Sequence, residues 1–114
     1  MNLSEHRKRV EKDPDNELFQ FSFGQACFAE KQYAEAIVPL TFCAEKKPEW
    51  MVPRILLGKA YLELGRKDRA RPFLDAALKL AGEQHHEGPE EEIRGLLQVC
   101  STLDTTERDP REFP

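Results

Sequence analysis

The sequence is poor in the residues on which most metal and redox chemistry depends. Its 114 residues include three cysteines and three histidines, and no two cysteines have the CxxC spacing. The spacing therefore gives neither a disulfide framework nor a zinc site, and Cys27, Cys43 and Cys100 are interpreted as reduced, buried side chains. The six glycines are isolated from one another, so no glycine-rich phosphate loop is present. We expect no metal and no cofactor.

Long apolar runs and an excess of positive charge are also missing. No uncharged stretch approaches the roughly 20 residues of a membrane-spanning helix. The basic residues near the N terminus have no apolar segment behind them, so we recognise no secretory signal. The net charge of −4 argues against nucleic acid as the main partner. These absences predict a cytoplasmic protein with neither a membrane nor a nucleic-acid partner.

Aromatic residues are concentrated in residues 17–28, ELFQFSFGQACF. Phe19, Phe21 and Phe23 alternate with polar residues, which is typical of a half-buried β-strand. The flanking residues have helical spacing instead. The local pattern alone therefore does not decide between the two-residue period of a strand and the roughly 3.6-residue period of a helix.

A repeat decides between the two periods. Residues 17–50 align with residues 51–84 at an offset of 34 without a gap. Apolar residues recur at helical spacing on both sides of LGRKD, so each copy is predicted to be helix, turn, helix. Gly65 is predicted to end the first helix in the left-handed conformation, and Asp68 to cap the second. The main equivalent pairs are Phe23 and Leu57, Gly24 and Gly58, Ala36 and Ala70, Leu40 and Leu74, and Cys43 and Ala77.

The two glycines inside the predicted first helices need an explanation. Glycine in a helix interior costs about 1 kcal/mol relative to alanine. We infer that two backbones approach closely at Gly24 and Gly58, and that Ala36 and Ala70 supply the matching small surface on the second helix.

The period and its small residues resemble the tetratricopeptide repeat (TPR) family. The structural repeat positions are Gly24, Ala36, Cys43, Gly58, Ala70 and Ala77. EKKPEW, with Pro48, is similar to the family's boundary between repeats. Gln20 and Arg54 depart from the pattern, since the family has an aromatic residue or leucine there. The resemblance implies an all-α fold, a short right-handed α-solenoid of TPR-type helix–turn–helix repeats with about five to six helices.

The whole chain is predicted to form one domain. Its N-terminal helix is short and polar, with Ser4 as N-cap, and its C-terminal capping helix has an apolar stripe of Ile93, Leu96, Leu97, Cys100 and Leu103. The predicted segments are residues 1–14 (N-terminal helix and boundary), 15–50 (TPR unit 1), 51–84 (TPR unit 2), 85–104 (capping helix) and 105–114 (flexible tail).

The resemblance also implies a function. In TPR arrays the first helix of each unit lines a concave face that binds peptide or protein segments. Carried over by register, this groove is lined by Leu18, Phe21, Gln25, Phe28, Val52, Ile55, Lys59 and Leu62. Its apolar character predicts an amphipathic helix or a hydrophobic peptide as the partner. We therefore expect a non-enzymatic scaffold or adaptor.

Several alternatives stay open. The chain's own N-terminal helix, its tail or a second subunit could cover the groove, and the small core of two repeats favours a homodimer. A self-assembling or cytoskeletal-filament-binding role, like that of kinesin light chains, is an alternative within the binding class. A small enzyme is the alternative from another class, disfavoured because no nucleophile, base and orienting group converge in the sequence. We interpret His85 and His86 as solvated loop residues.

Overall fold

The computed structural model describes the backbone of residues 1–106 and the side chains of residues 1–101. Within this range the chain forms six α-helices and no β-strand, and none of these helices has the length and apolar character needed to cross a membrane. The helices are α1 (Leu3–Lys12), α2 (Glu17–Ala29), α3 (Tyr33–Lys46), α4 (Met51–Glu63), α5 (Lys67–Glu83) and α6 (Glu87–Thr106). The all-α prediction is confirmed, and the aromatic stretch is helical.

The last helix differs from its predicted extent. It begins at Glu87 and continues to Thr106, so residues 105 and 106, predicted as tail, are helical. The remainder of the predicted tail and the side chain of Leu103 lie outside the described residues.

The first two helices begin where side chains accept hydrogen bonds from first-turn amides. The Asn2 side chain accepts from the Glu5 amide at 2.9 Å, and the Glu5 carboxylate accepts from the Asn2 amide, which forms a capping box. The predicted cap Ser4 therefore lies inside α1. Asn16 caps α2 through the Phe19 amide at 3.0 Å.

The fifth helix begins earlier than predicted. Arg66 occupies its N-cap position and Asp68 lies inside the first turn, so the assignment of Asp68 as cap is wrong. Asp68 instead accepts two hydrogen bonds of 3.2 Å from the Arg66 guanidinium, and this interaction holds the pKa of the carboxyl below its usual value. Because α5 begins at Lys67, Pro72 lies beyond the first turn of this helix, and it is exposed.

The turn inside each unit has the same geometry in both copies. Lys31 and Gly65 are 34 residues apart, and both have positive φ, 61° and 74°. In both units the amide of the following residue donates a 2.8 Å hydrogen bond to a carbonyl five residues back. The prediction for Gly65 is confirmed, and Lys31 adopts the same conformation without being glycine.

The helices form two layers, and the array is curved because the helices of one layer lie closer together than those of the other. Helices α2, α4 and α6 contact one another in sequence, whereas in the described residues no Cα atoms of α1, α3 and α5 come within 8 Å of each other. A double layer that is closer on one side bends towards that side, so α2, α4 and α6 line the concave face. The molecule measures 56 × 33 × 20 Å, and its radius of gyration of 15.5 Å exceeds the roughly 13 Å of a compact domain of this length.

Two apolar clusters fill the space between the layers. The N-terminal cluster is formed by α1 to α4, with Phe73 of α5 packed against it, and includes the fully buried Leu40 and Leu57. The C-terminal cluster joins α4 to α6 and includes the fully buried Leu74 and Ile93. All six structural repeat positions are buried. Helix α4 contributes to both clusters, so it connects the two halves of the array.

Gly24 and Gly58 are each covered by a leucine of the following helix. A Cβ atom built on Gly58 would lie 2.6 Å from Leu74 Cγ, and one on Gly24 would lie 2.8 Å from Leu40 Cγ. Each glycine is in close contact with the following helix, but the contact is made by a leucine side chain and not by the second backbone that the sequence suggested. The predicted partners Ala36 and Ala70 lie one turn earlier in α3 and α5.

Candidate functional site

The predicted groove consists of four pairs of equivalent positions on α2 and α4, the first two helices of the concave layer. Their environments differ, and exposed apolar surface is concentrated at the N-terminal ends of the two helices. The pairs are Leu18 and Val52, Phe21 and Ile55, Gln25 and Lys59, and Phe28 and Leu62.

The most open apolar side chains belong to the first pair. Leu18 is 68% exposed and Val52 is 42% exposed. Phe21 follows Leu18 by one turn and is half-buried, with its ring centroid 4.7 Å from that of Trp50. Trp50 occupies the N-cap position of α4, so its ring connects the beginnings of α2 and α4. We refer to Leu18, Phe21, Trp50 and Val52 as the apolar patch.

An ion pair borders the apolar patch. Lys47 Nζ lies 3.1 Å from Glu17 Oε2 and 5.8 Å from the centroid of the Trp50 ring. The pair joins the first residue of α2 to the residue directly after α3, and the ammonium group lies against the indole ring. The patch is therefore an ordered surface with a charged rim.

Ile55 does not belong to the accessible part of the groove. Its side chain is 7% exposed and packs in the C-terminal cluster, together with Leu74 and Ile93. The register places it on the concave layer, but α6 packs across this part of α4. Ile55 is thus a core residue and offers little surface to a partner.

Lys59 is not a free cation. Its Nζ lies 2.8 Å from Glu92 Oε2, and this ion pair joins α4 to α6 on the concave layer. The equivalent Gln25 is exposed. The sequence did not reveal the pair, because the acidic run around Glu92 is explained equally well by a helix N-terminus.

Phe28 and Leu62 are half-buried. Phe28 makes an edge-to-face contact with Tyr33, with ring centroids 5.3 Å apart, and Leu62 packs against the C-terminal cluster. These two side chains extend the concave surface towards the C-terminal ends of α2 and α4 but are less open than the first pair.

The other face of the aromatic stretch is covered by α1. The Arg7 guanidinium lies 5.6 Å from the centroid of the Phe23 ring, and that of Arg9 lies 5.3 Å from the Phe19 ring. Arg7 also forms an ion pair with Glu35 of α3. An arginine can cover an aromatic face through its planar guanidinium group and its methylene stem, and apolar periodicity misses such contacts.

The two departures from the family pattern stabilise the boundary loops. Gln20 Nε2 donates a 2.8 Å hydrogen bond to the Pro14 carbonyl, and Arg54 Nη1 donates a 2.7 Å hydrogen bond to the Pro48 carbonyl. Both donors reach six residues back along the chain. At this repeat position the chain uses a hydrogen bond where the family uses apolar packing.

The cysteines have the environment of structural residues. Cys27 and Cys43 are fully buried, and desolvation raises the pKa of each thiol to about 11. They are therefore protonated at neutral pH and poor nucleophiles. Among the side chains that the structure describes, no three of His, Cys, Asp and Glu are grouped so as to hold a metal ion.

Comparison with known proteins agrees with this geometry. Residues 28–87, more than half of the chain, match the family model of the tetratricopeptide repeat. The chain is 37% identical over 73 residues to anaphase-promoting complex subunit 3 of Dictyostelium discoideum. That match covers 64% of this chain and 8% of the length of the relative.

Solved structures share the architecture. A protein from Bordetella parapertussis superposes with a TM-score of 0.76 at 21% identity, covering 92% of this chain and 91% of the other. A tetratricopeptide repeat domain protein from Salinibacter ruber superposes with a TM-score of 0.71 at 18% identity, covering 85% and 98%. At these identities the superpositions show the fold, and the family match shows the relationship. The chain belongs to the tetratricopeptide repeat family.

Proposed function

We propose that the chain is a non-enzymatic scaffold or adaptor that binds another protein through the concave face of α2 and α4. Family members generally act as scaffolds for protein–protein interaction, and the Dictyostelium relative is named as a complex subunit. The observation that carries the proposal is the exposure of Leu18 and Val52, at equivalent positions of the two units, at 68% and 42%.

The chemistry of the apolar patch fits an amphipathic helix of the partner. Leu18 and Val52 present aliphatic surface on neighbouring helices, and the rings of Phe21 and Trp50 provide a rigid floor. A helix with apolar residues at i, i+3 and i+4 would cover this surface and leave its polar side on the rim formed by Gln25 and the Lys47–Glu17 ion pair. Apolar side chains left exposed at equivalent positions of two neighbouring helices support this proposal, because large exposed apolar patches usually mark interaction sites.

A display selection with helical peptides tests the proposal. Peptides selected on the native chain should be amphipathic, and their binding should perturb the NMR signals of α2 and α4. The double variant Leu18→Gln/Val52→Gln should weaken their binding at least tenfold, because each buried aliphatic side chain contributes about 1.5 kcal/mol or more.

Val38→Gln is the matched control, since Val38 is 73% exposed on α3, in the opposite layer. It should leave peptide binding unchanged, and circular dichroism should show native helicity for both variants. Peptides that bind the double variant as tightly as the native chain, or that perturb only α1, α3 and α5, would contradict a concave binding site.

A further inference from the structure

The two end helices of the array occupy complementary places in the repeat. Helix α1 ends 34 residues before α3 ends, so α1 has the position of a second helix of a unit. Helix α6 packs on α5 and α4 as α4 packs on α3 and α2, so α6 has the position of a first helix. The described chain therefore carries a second helix at one end and a first helix at the other.

Each end helix has one packed face and one open face. Helix α1 contacts α2 but has no buried residue of its own. On α6, Ile93 and Cys100 are buried against α5 and α4, while Gly95, Gln98 and Val99 face outwards. In the described residues no other helix covers these outer faces.

The open faces carry opposite charge where an antiparallel pairing would bring them together. Helix α1 contains four lysine and arginine residues and two glutamates, and Lys8 and Lys12 are exposed in its C-terminal half. Helix α6 begins with four glutamates within six residues. Glu90 and Glu92 of that group pair with Arg94 and Lys59, whereas the structure gives no partner to Glu87 and Glu91 among the described residues.

An ion pair inside the chain shows how such helices meet. In the first unit, Glu17 at the first residue of α2 pairs with Lys47 directly after α3, at 3.1 Å. At the ends of the array, Glu87 is the first residue of α6, as Glu17 is of α2, whereas the place directly after α1 is taken by Asp13 and Lys12 lies one residue before it. The end helices thus carry an acidic and a basic side chain near the places of the internal ion pair, with the basic one a residue earlier.

We propose that a second copy of this chain docks end to end, with α6 of one copy packing antiparallel to α1 of the next and completing a third helix–turn–helix unit between them. The contact is heterologous, so it leaves a free α1 and a free α6 at the ends of each dimer and continues into longer arrays. It is separate from the concave face, and its loss leaves peptide binding by the apolar patch intact.

Sedimentation velocity on the native chain, from micromolar to about millimolar concentration, tests the proposal at low ionic strength. The weight-average mass should rise beyond twice the 13.2 kDa of one chain without reaching a plateau. It should fall again in high salt, since the exposed charges are then screened. A mass that stays at 13.2 kDa, or that stops at a symmetric dimer, would overturn the proposal.

Charge variants identify the surfaces. An N-end variant, Lys8→Glu/Lys12→Glu, and a C-end variant, Glu87→Lys/Glu91→Lys, should each lower the association constant at least about tenfold. Mixing the two variants should restore association, because the acidic α1 of the N-end variant can pair with the basic α6 of the C-end variant. A twofold interface of α1 with α1, or of α6 with α6, would not be restored in this way.

Two controls keep the result interpretable. Glu45→Lys, an exposed position on α3 in the middle of the array, should associate like the native chain. Neutral variants should each weaken association less than charge reversal, and glutamine preserves the helices because it is a good helix former. These variants are Lys8→Gln/Lys12→Gln and Glu87→Gln/Glu91→Gln. Association that survives unchanged in the C-end variant rejects α6 as the docking surface.

Discussion

Gly58 shows how one residue sets the spacing of two helices. The fully buried side chain of Leu74 occupies the space that a Cβ on Gly58 would need, and Leu40 does the same over Gly24. The helix propensity lost at each glycine is offset by the burial of a complete leucine side chain. The contact lies within each unit, so it sets the spacing between its two helices.

We predict that Gly58→Ala destabilises the protein by about 1–3 kcal/mol, because the new methyl group would meet a side chain that has no room to move. Gly24→Ala should act in the same direction and less strongly, since its nearest leucine atom is 2.8 Å away, whereas Leu74 Cγ lies 2.6 Å from the corresponding position on Gly58. Urea denaturation followed by circular dichroism measures both.

Gly95→Ala is the control for helix propensity. Gly95 lies within α6, and a Cβ atom added there would meet no atom within 4 Å, so the substitution should stabilise by about 0.5–1 kcal/mol. If Gly58→Ala proved as stable as Gly95→Ala, Leu74 would not prevent a Cβ atom from being accommodated at residue 58, and the account would be wrong.

Single residues also show where sequence reasoning succeeds. The helical glycines and Gly65 were predictable, because each has a local cost or conformation that few other residues tolerate. The caps at Ser4 and Asp68 were predicted wrongly, since several neighbouring polar residues can cap and tertiary packing selects among them. The exposure of Ile55 and the pairing of Lys59 depend on α6, and the register within two repeats does not contain that information.

Helix α1 differs from the other helices in how it is held. It contributes no buried residue, and Leu3 and Val10 only partly cover the N-terminal cluster. Its remaining contacts are the Arg7 ion pair with Glu35 and the two guanidinium–phenylalanine contacts. The hydrogen bond to the Glu35 carboxylate and its negative charge raise the pKa of Arg7 further above its usual value. An element attached through exposed charges should open more readily than one attached through its core.

We therefore expect the amides of α1 to exchange with deuterium faster than those of α2 to α5. Arg7→Ala should accelerate exchange in α1 several-fold and leave α4 and α5 unchanged, because it removes contacts to α2 and α3 only. Lys8→Ala, on the same helix at an exposed position, should have a much smaller effect. Protection of α1 equal to that of α3 in the native chain would contradict this account.

At the scale of the whole molecule, stability should follow the order of the helices. Each described helix contacts only helices one or two places away along the chain. Among the described residues, α4 is the one helix with buried side chains in both clusters, and Phe73 of α5 packs against the N-terminal cluster. In such a structure the free energy of unfolding is approximately a sum over units and their interfaces. The single tryptophan, Trp50, packs against Phe21 and reports on the N-terminal half, whereas circular dichroism reports on all helices.

Ile93→Ala should separate the two halves. Ile93 is fully buried where α6 meets α4 and α5, so truncation should cost about 3 kcal/mol, and the loss falls on the C-terminal cluster. In urea the helical signal should begin to fall before the Trp50 fluorescence changes. Leu40→Ala, which removes a fully buried side chain from the N-terminal cluster, should shift the fluorescence transition at least as far as the helical one. Coincident transitions in both variants would mean that α4 couples the clusters too strongly for either half to unfold alone.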